Sequence, residues 1–257
     1  MRREPRLGRS ASASAVPGPV PLVRVTVIMP AHNEASLLEP VVREVVDGIR
    51  ARNEFFEVLV VENGSHDATP AIAQRLEREL PELRVETLPR ADYGHALRTG
   101  LRSARGDIVV NFDVDYTDLG FLDAALARLG QPDAPAIIVG SKRAPGAHDR
   151  RARHRRLVTW AFAFVMRAAF GLRVSDTHGL KVLDRRQVVA IGDACRSDGE
   201  LFDTELILRA ERAGLGIEEL AVTVTECRPS RTSIGRRALR ALVGLVRLRA
   251  ALARRGP

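Results

Sequence analysis

The chain has 257 residues, 45% hydrophobic and 28% charged, a globular balance long enough to bury a real core and unlike that of a disordered or fibrous chain. Its net charge of +8 points to an anionic partner such as nucleic acid, lipid headgroups or a phosphorylated substrate, yet Lys142 and Lys181 are the only lysines, so an arginine-rich composition accounts for much of it. Cys195 and Cys227 lie far apart without metal-ligand spacing, which argues against a disulfide framework or zinc site and fits a reduced, cytoplasmic setting.

Residues 1–22, rich in Arg, Ser, Ala and Pro and lacking the apolar segment of a secretory signal, read as a disordered tail. From Val23 strand-like and helix-like segments alternate. Strands are expected at Val23–Met29, Phe56–Glu62, Leu83–Leu88, Asp107–Phe112 and Ala136–Gly140. Helices are expected between them at Leu37–Arg50, Pro70–Leu80, Tyr93–Ala104 and Leu119–Leu129. This rhythm predicts an α/β fold, a mostly parallel sheet with helices on both faces. An arginine run, Arg150 to Arg156, then precedes the apolar stretch Leu157–Met166. That stretch falls short of the roughly 18 apolar residues of a membrane span and reads by default as a core helix, with an interfacial helix as the alternative. The last segment, 233–257, reads as a basic amphipathic helix: Ile234, Ala238, Leu242, Leu245, Leu248 and Leu252 share one arc, with arginines opposite. The chain can lie on a membrane without crossing one. It carries no recognition module or aromatic array for specific nucleic-acid binding.

Four polar segments follow the predicted strands, on the edge where open parallel sheets bind ligands. Pro30-Ala31-His32-Asn33-Glu34 closes the first strand. Glu62-Asn63-Gly64-Ser65-His66-Asp67 follows the second, with groups able to bond a nucleobase and with Ser65 or Asp67 placed to cap the next helix. Tyr93 to Gly100 opens a helix, where Gly94 would let a phosphate approach free backbone N–H groups. Asp113 and Asp115 end the fourth strand; if the chain stays extended there, both carboxylates point to one side and can hold Mg²⁺ or Mn²⁺ with a diphosphate.

Taken in order, these motifs resemble the family 2 glycosyltransferases of GT-A fold, most closely the dolichyl- or polyprenyl-phosphate mannose and glucose synthases. The likeness continues through Val139-Gly140-Ser141-Lys142, Asp176 to Leu183, Phe202 to Leu206 and Arg228 to Ser233, and implies a GT-A domain over residues 23–232. The resemblance implies that Pro30, His32, Glu34, Val61 and Asn63 line a nucleoside pocket, and that Asp113, Val114 and Asp115 meet ribose, metal and diphosphate. Lys142 and Arg228 would then supply positive charge, with Arg151, Arg231 and Ser233 near the acceptor. Four positions depart from the pattern: His32 replaces a Tyr, Glu62-Asn63 an Asp-Asp, Thr117 a metal-binding Gln, and Ile234 the Lys of a Ser-Lys pair. The implied activity is metal-dependent inverting transfer of mannose or glucose from a GDP- or UDP-sugar to a polyprenyl phosphate at the inner face of the membrane. A hydroxyl acceptor on a soluble natural product or oligosaccharide would need a general base, for which Asp176, Asp203 and Glu205 are candidates. A non-catalytic nucleotide- or membrane-binding member is the alternative of another class.

Overall fold

The computed structural model describes residues 24–52, 55–149, 153–224, 244–245 and 248–249. Its first half follows the expected rhythm: β1 Arg24–Ala31, α1 Leu38–Arg50, β2 Phe55–Asn63, α2 Thr69–Glu79, β3 Leu83–Leu88, α3 Tyr93–Ser103, β4 Ile108–Asn111, α4 Leu119–Leu129 and β5 Ile137–Ser141. The second half adds β6 His148–Asp149, α5 Arg153–Phe170, β7 Lys181–Asp184, α6 Arg185–Ala194, α7 Leu201–Arg212, β8 Ile217–Ala221 and β9 Thr223–Val224.

Seven of these strands form one sheet in the order β3-β2-β1-β4-β7-β5-β8, and β6 pairs with β9 separately. Only β7 runs against its sheet neighbours. Its β-branched and aliphatic strands are buried on both faces, so alternation sorts side chains between two helical layers rather than between core and water. Val27, Met29, Val58, Val60 and Val110 face α1, α2 and α4. Ile28, Leu59, Val61, Val109 and Leu183 face α3, α6 and α7.

The strand order sets where the polar segments gather. β1, β2, β4 and β5 share one direction, so their ends at Ala31, Asn63, Asn111 and Ser141 lie on the same side of the sheet. Because β7 is antiparallel, it contributes its first residue there: Lys181 pairs with Asn111 on one side and Val139 on the other.

Helix α5 is not the core helix expected by default. Met166 is fully buried, but Leu157, Trp160, Phe164 and Val165 are exposed, with Trp160 at 54% and Phe164 at 60%. Trp160 and Phe164, one turn apart, stack with ring centroids 5.7 Å apart. The expected C-terminal helix lies outside the described residues except at Gly244, Leu245, Leu248 and Arg249; Leu245 and Leu248 are buried in the α3/α6/α7 layer. Among the described residues no helix is long and apolar enough to cross a membrane.

Candidate active site

The β1 and β2 exits are tied together by a short polar lattice. Strand register sets Pro30 opposite Val61 and Ala31 opposite Glu62. Asn33 takes a left-handed φ of 56°, a conformation asparagine tolerates better than most residues. Its backbone N–H donates to Ser65 Oγ at 2.9 Å and its side-chain oxygen accepts from His66 N at 2.8 Å. Ser65 therefore bonds across the two loops and does not cap α2, whereas Asp67 does reach the start of that helix, accepting from Thr69 N at 2.9 Å.

Both ring nitrogens of His32 are engaged, Nδ1 with Asn63 O at 2.8 Å and Nε2 with the Asn33 side-chain amide at 3.0 Å. That leaves the face of the imidazole, rather than its edge, for a base. The side chains of Val61 and Val114 pack in the core, so a nucleoside would meet their backbone. Glu34 lies half-buried at the exit, its N–H donating to Thr69 Oγ1 at 2.8 Å.

The α3 N-terminus is not a phosphate site. Asp92 caps it, accepting from His95 N at 2.9 Å, and the same oxygen accepts from Gly199 N at 3.0 Å. The close approach at Gly94 is to the chain itself: a Cβ there would lie 2.8 Å from Phe202 Cβ and 3.1 Å from Gly199 N. What the small residue admits is the α6–α7 loop.

β4 ends at Asn111, two residues before Asp113, so the chain is not extended across the two aspartates. The chain turns instead, with Tyr116 N donating to Asp113 O at 2.9 Å, so Asp113 is half-buried and Asp115 exposed. Tyr93, which carried no individual role in the sequence reading, donates its hydroxyl to Asp113 Oδ1 at 3.1 Å and accepts from Asn111 Nδ2 at 3.4 Å. Burial first, then the negative charge of Asp203, push the Asp113 carboxyl up to about 6, against the pull of Lys181; Asp115 adds to the rise and the Tyr93 hydrogen bond opposes it. Burial, then the charges of Asp113 and Asp203, raise the Tyr93 phenol well above its ordinary value, so it remains a donor.

The three candidate bases are all buried: Asp176 is 5% exposed, Asp203 2% and Glu205 0%. Asp203 lies 3.0 Å from the Lys181 ammonium. Glu205 accepts from Arg196 N at 2.9 Å, Ser197 N at 2.6 Å and Arg209 Nε at 2.7 Å. Burial raises its carboxyl, but the Ser197 and Arg196 hydrogen bonds and the Arg209 contact outweigh that and hold it low. Asp176 accepts from His178 N at 3.0 Å, and its other oxygen sits 3.7 Å from Lys142 Nζ, which itself donates to His178 O at 3.0 Å. The Lys142 side chain thus clamps the Asp176–His178 loop to the end of β5. His178 packs edge-on against Phe162 of α5 at 5.3 Å, and burial holds its imidazole below the ordinary value despite Asp203 and Asp176.

Tyr93, Asn111 and Lys181 are site residues that motif reading passed over. Only Lys181 carried a signal, a charge beginning an apolar strand. Arg151, Arg228, Arg231 and Ser233 lie outside the described residues.

The profile of "Glycosyl transferase family 2" matches residues 26–190. Glycosyltransferase AglD of Haloferax volcanii is 34% identical over 207 residues, 78% of this chain but 33% of AglD, so the chain spans a third of that relative. The dolichyl-phosphate beta-glucosyltransferase of Mus musculus is 28% identical over 231 residues, covering 82% of this chain and 70% of the mouse protein. Among solved structures, mannosyltransferase PcManGT from Pyrobaculum calidifontis, in complex with GDP-Man and Mn²⁺, superposes with a TM-score of 0.62 at 26% identity, over 91% of this chain and 65% of its own. Glucosyl-3-phosphoglycerate synthase from Mycobacterium tuberculosis shares the fold at a TM-score of 0.67 and 21% identity, over 89% of this chain and 79% of its own. With its sheet order, its paired aspartates at the β4 exit and a family match over most of its length, the chain belongs to glycosyl transferase family 2 and is a glycosyltransferase of GT-A fold.

Proposed function

We propose that this enzyme moves a hexose, mannose or glucose, from a GDP- or UDP-sugar to a polyprenyl-phosphate-type acceptor, with inversion and with Mg²⁺ or Mn²⁺, at a membrane surface. The observation that carries the acceptor class is the state of Asp176, Asp203 and Glu205. A hydroxyl acceptor must lose its proton to a base within hydrogen-bond reach. All three carboxylates are buried, and Asp203 and Glu205 are bound to Lys181 and Arg209. An acceptor phosphate is already ionised and needs positioning by cations instead. The dolichyl-phosphate relative and the GDP-Man and Mn²⁺ complex agree with this reading by their names.

The donor set fits a hard divalent cation. Asp113 and Asp115 offer carboxylate oxygen, and among the described residues no group of three or more His, Cys, Asp or Glu could hold a metal, which leaves the rest of the shell to diphosphate and water. A bound cation would offset the negative charge that develops on the leaving diphosphate. The chain's own part is to orient. His32 presents a ring face to the base, Tyr93 fixes the Asp113 carboxylate, and Lys142 holds the Asp176–His178 loop on the acceptor side. The exposed Leu157, Trp160, Phe164 and Val165 of α5 support this reading by offering an apolar face to a lipid surface, with the enzyme lying peripherally at the cytoplasmic leaflet.

The test is a panel of GDP- and UDP-mannose and glucose with Mn²⁺ or Mg²⁺, with and without polyprenyl phosphate, read by mass spectrometry. The expected product is a polyprenyl-phosphate hexose, lost in Asp113→Ala and Asp115→Ala. Full turnover in chelator, or glycosylation of a soluble hydroxyl acceptor with no transfer to the lipid, rejects the reading.

A further inference from the structure

Two carboxylates, one on α7 and one on β8, grip the segment between α5 and β7 by its backbone. Glu211, near the end of α7, accepts from Arg173 N at 3.0 Å and Val174 N at 3.2 Å. Glu219 of β8, in register with Val139 of β5, accepts from Ser175 N at 3.0 Å and Asp176 N at 3.2 Å. It also accepts from the Ser175 hydroxyl at 2.7 Å, and that bond fixes a direction. A serine has one O–H to donate and two lone pairs with which to accept. Since Ser175 donates to Glu219, the 3.0 Å contact between Ser141 Oγ and Ser175 Oγ runs from Ser141 to Ser175. Ser141, fully buried at the end of β5, fills both lone pairs with Arg143 N and Ala144 N, each at 3.1 Å.

We propose that Glu219 is a positioning residue for Lys142. The relay from the 141–144 turn through Ser141 and Ser175 ends on the same carboxylate that holds the backbone of Ser175 and Asp176, so one group sets both sides of the Lys142 contact. On one side stands the turn that carries the ammonium. On the other stands the loop that receives it, with His178 O at 3.0 Å and Asp176 Oδ2 at 3.7 Å. Asp176 Oδ2 is buried and has no hydrogen-bond partner among the described residues, so its distance from the ammonium depends on this framing rather than on a bond of its own. In Glu219→Gln one carboxylate oxygen becomes an amide. That amide either sets a donor against the Ser175 or Asp176 N–H, or reverses the relay and leaves Ser141 with three donors for two lone pairs. The inference deepens the proposed function and rests on its placing of Lys142 on the acceptor side.

Kinetics and a crystal structure test the proposal. With GDP- or UDP-hexose and polyprenyl phosphate, Glu219→Gln should raise the KM for acceptor roughly tenfold and leave the KM for donor unchanged. Ser175→Ala keeps Glu219 on the two backbone N–H groups and removes only the relay; it should show the same split if Glu219→Gln does not fold. Added to Lys142→Ala, Glu219→Gln should cost nothing more, because a group that acts through Lys142 is silent once Lys142 is gone. Effects that multiply, or an unchanged acceptor KM in both Glu219→Gln and Ser175→Ala, overturn the proposal. A structure of either variant should show Lys142 Nζ displaced from His178 O, and an unmoved ammonium overturns the relay whatever the acceptor is. Lys142→Ala alone separates the two readings: an unchanged KM for polyprenyl phosphate removes Lys142 from the acceptor side, while the relay is decided by the position of the ammonium.

Discussion

At the scale of single residues, the site places one carboxylate against its own solvation. Asp113 rises to about 6 because burial and Asp203 disfavour its charge. Its folded value lies above the value of about 4 in an unfolded chain, so its contribution to stability is present below about pH 4 and is lost as pH rises through about 6. Without metal, Asp113→Asn should therefore gain on the wild type as pH is raised from 4 to 7, by at most about 3 kcal/mol, in thermal melts read by fluorescence. Mn²⁺ should reverse the order above pH 6, since a charged carboxylate holds the cation more tightly than a neutral amide. An identical pH dependence for the two proteins would remove the account. Glu205 has the opposite sign. Its carboxyl is held low, so the stability it supplies is present at neutral pH and is lost as pH falls through the acidic range. Glu205→Gln should cost about 1–3 kcal/mol in urea unfolding at pH 7, with the KM for donor unchanged, because Glu205 ties the Arg196–Ser197 loop to α7 and touches no substrate.

At the scale of elements, α5 and the start of α3 do work that their sequences state only in part. Helix α5 buries Met166 and leaves a stacked Trp160–Phe164 pair exposed. Burying a large apolar side chain is favourable by about 1.5–3 kcal/mol, so a lipid surface offers these rings more than water does. Trp160→Ser with Phe164→Ser should lower partition onto anionic vesicles containing polyprenyl phosphate by at least roughly tenfold in sedimentation, with no loss in melting temperature. A drop in melting temperature with unchanged partition would mean that the rings support the fold instead. At α3, Asp92 and Gly94 join the first half of the chain to the loop before α7. Gly94→Ala places a methyl against Phe202 and the Gly199 backbone, neither of which is a free side-chain end. The expected cost is about 1–3 kcal/mol in unfolding, with a fall in kcat, since Tyr93 is its neighbour. A variant as stable and active as the parent would show that the contact yields easily.

At the scale of the whole molecule, the antiparallel strand β7 closes the site. It brings Lys181, 70 residues beyond Asn111 in the chain, into register with it, and so sets a cation against Asp203 and within the electrostatic reach of Asp113. Elements through β5 were legible because their periods are local: β-branched runs read as strands, apolar arcs as helices, and polar loops recur at each strand exit. The pair Asp113 and Asp115 stood out by spacing and order, as did Asp176 and Lys142 by their motifs. Local pattern did not show the geometry of these residues. Extended alternation failed because the turn to Tyr116 takes over at Asp113, two residues past Asn111, and Gly94 was read as a phosphate contact when its neighbour is Phe202. The sequence by itself determined the fold class, the family and the sheet edge on which the polar segments gather, since each follows from short-range periodicity and from motifs in fixed order. Only the tertiary structure decided which carboxylates are spent. The partners of Asp203 and of the Asp113–Tyr93–Asn111 chain meet through strand pairing and helix packing across long loops, and burial and charge compensation belong to that packing rather than to any stretch of chain.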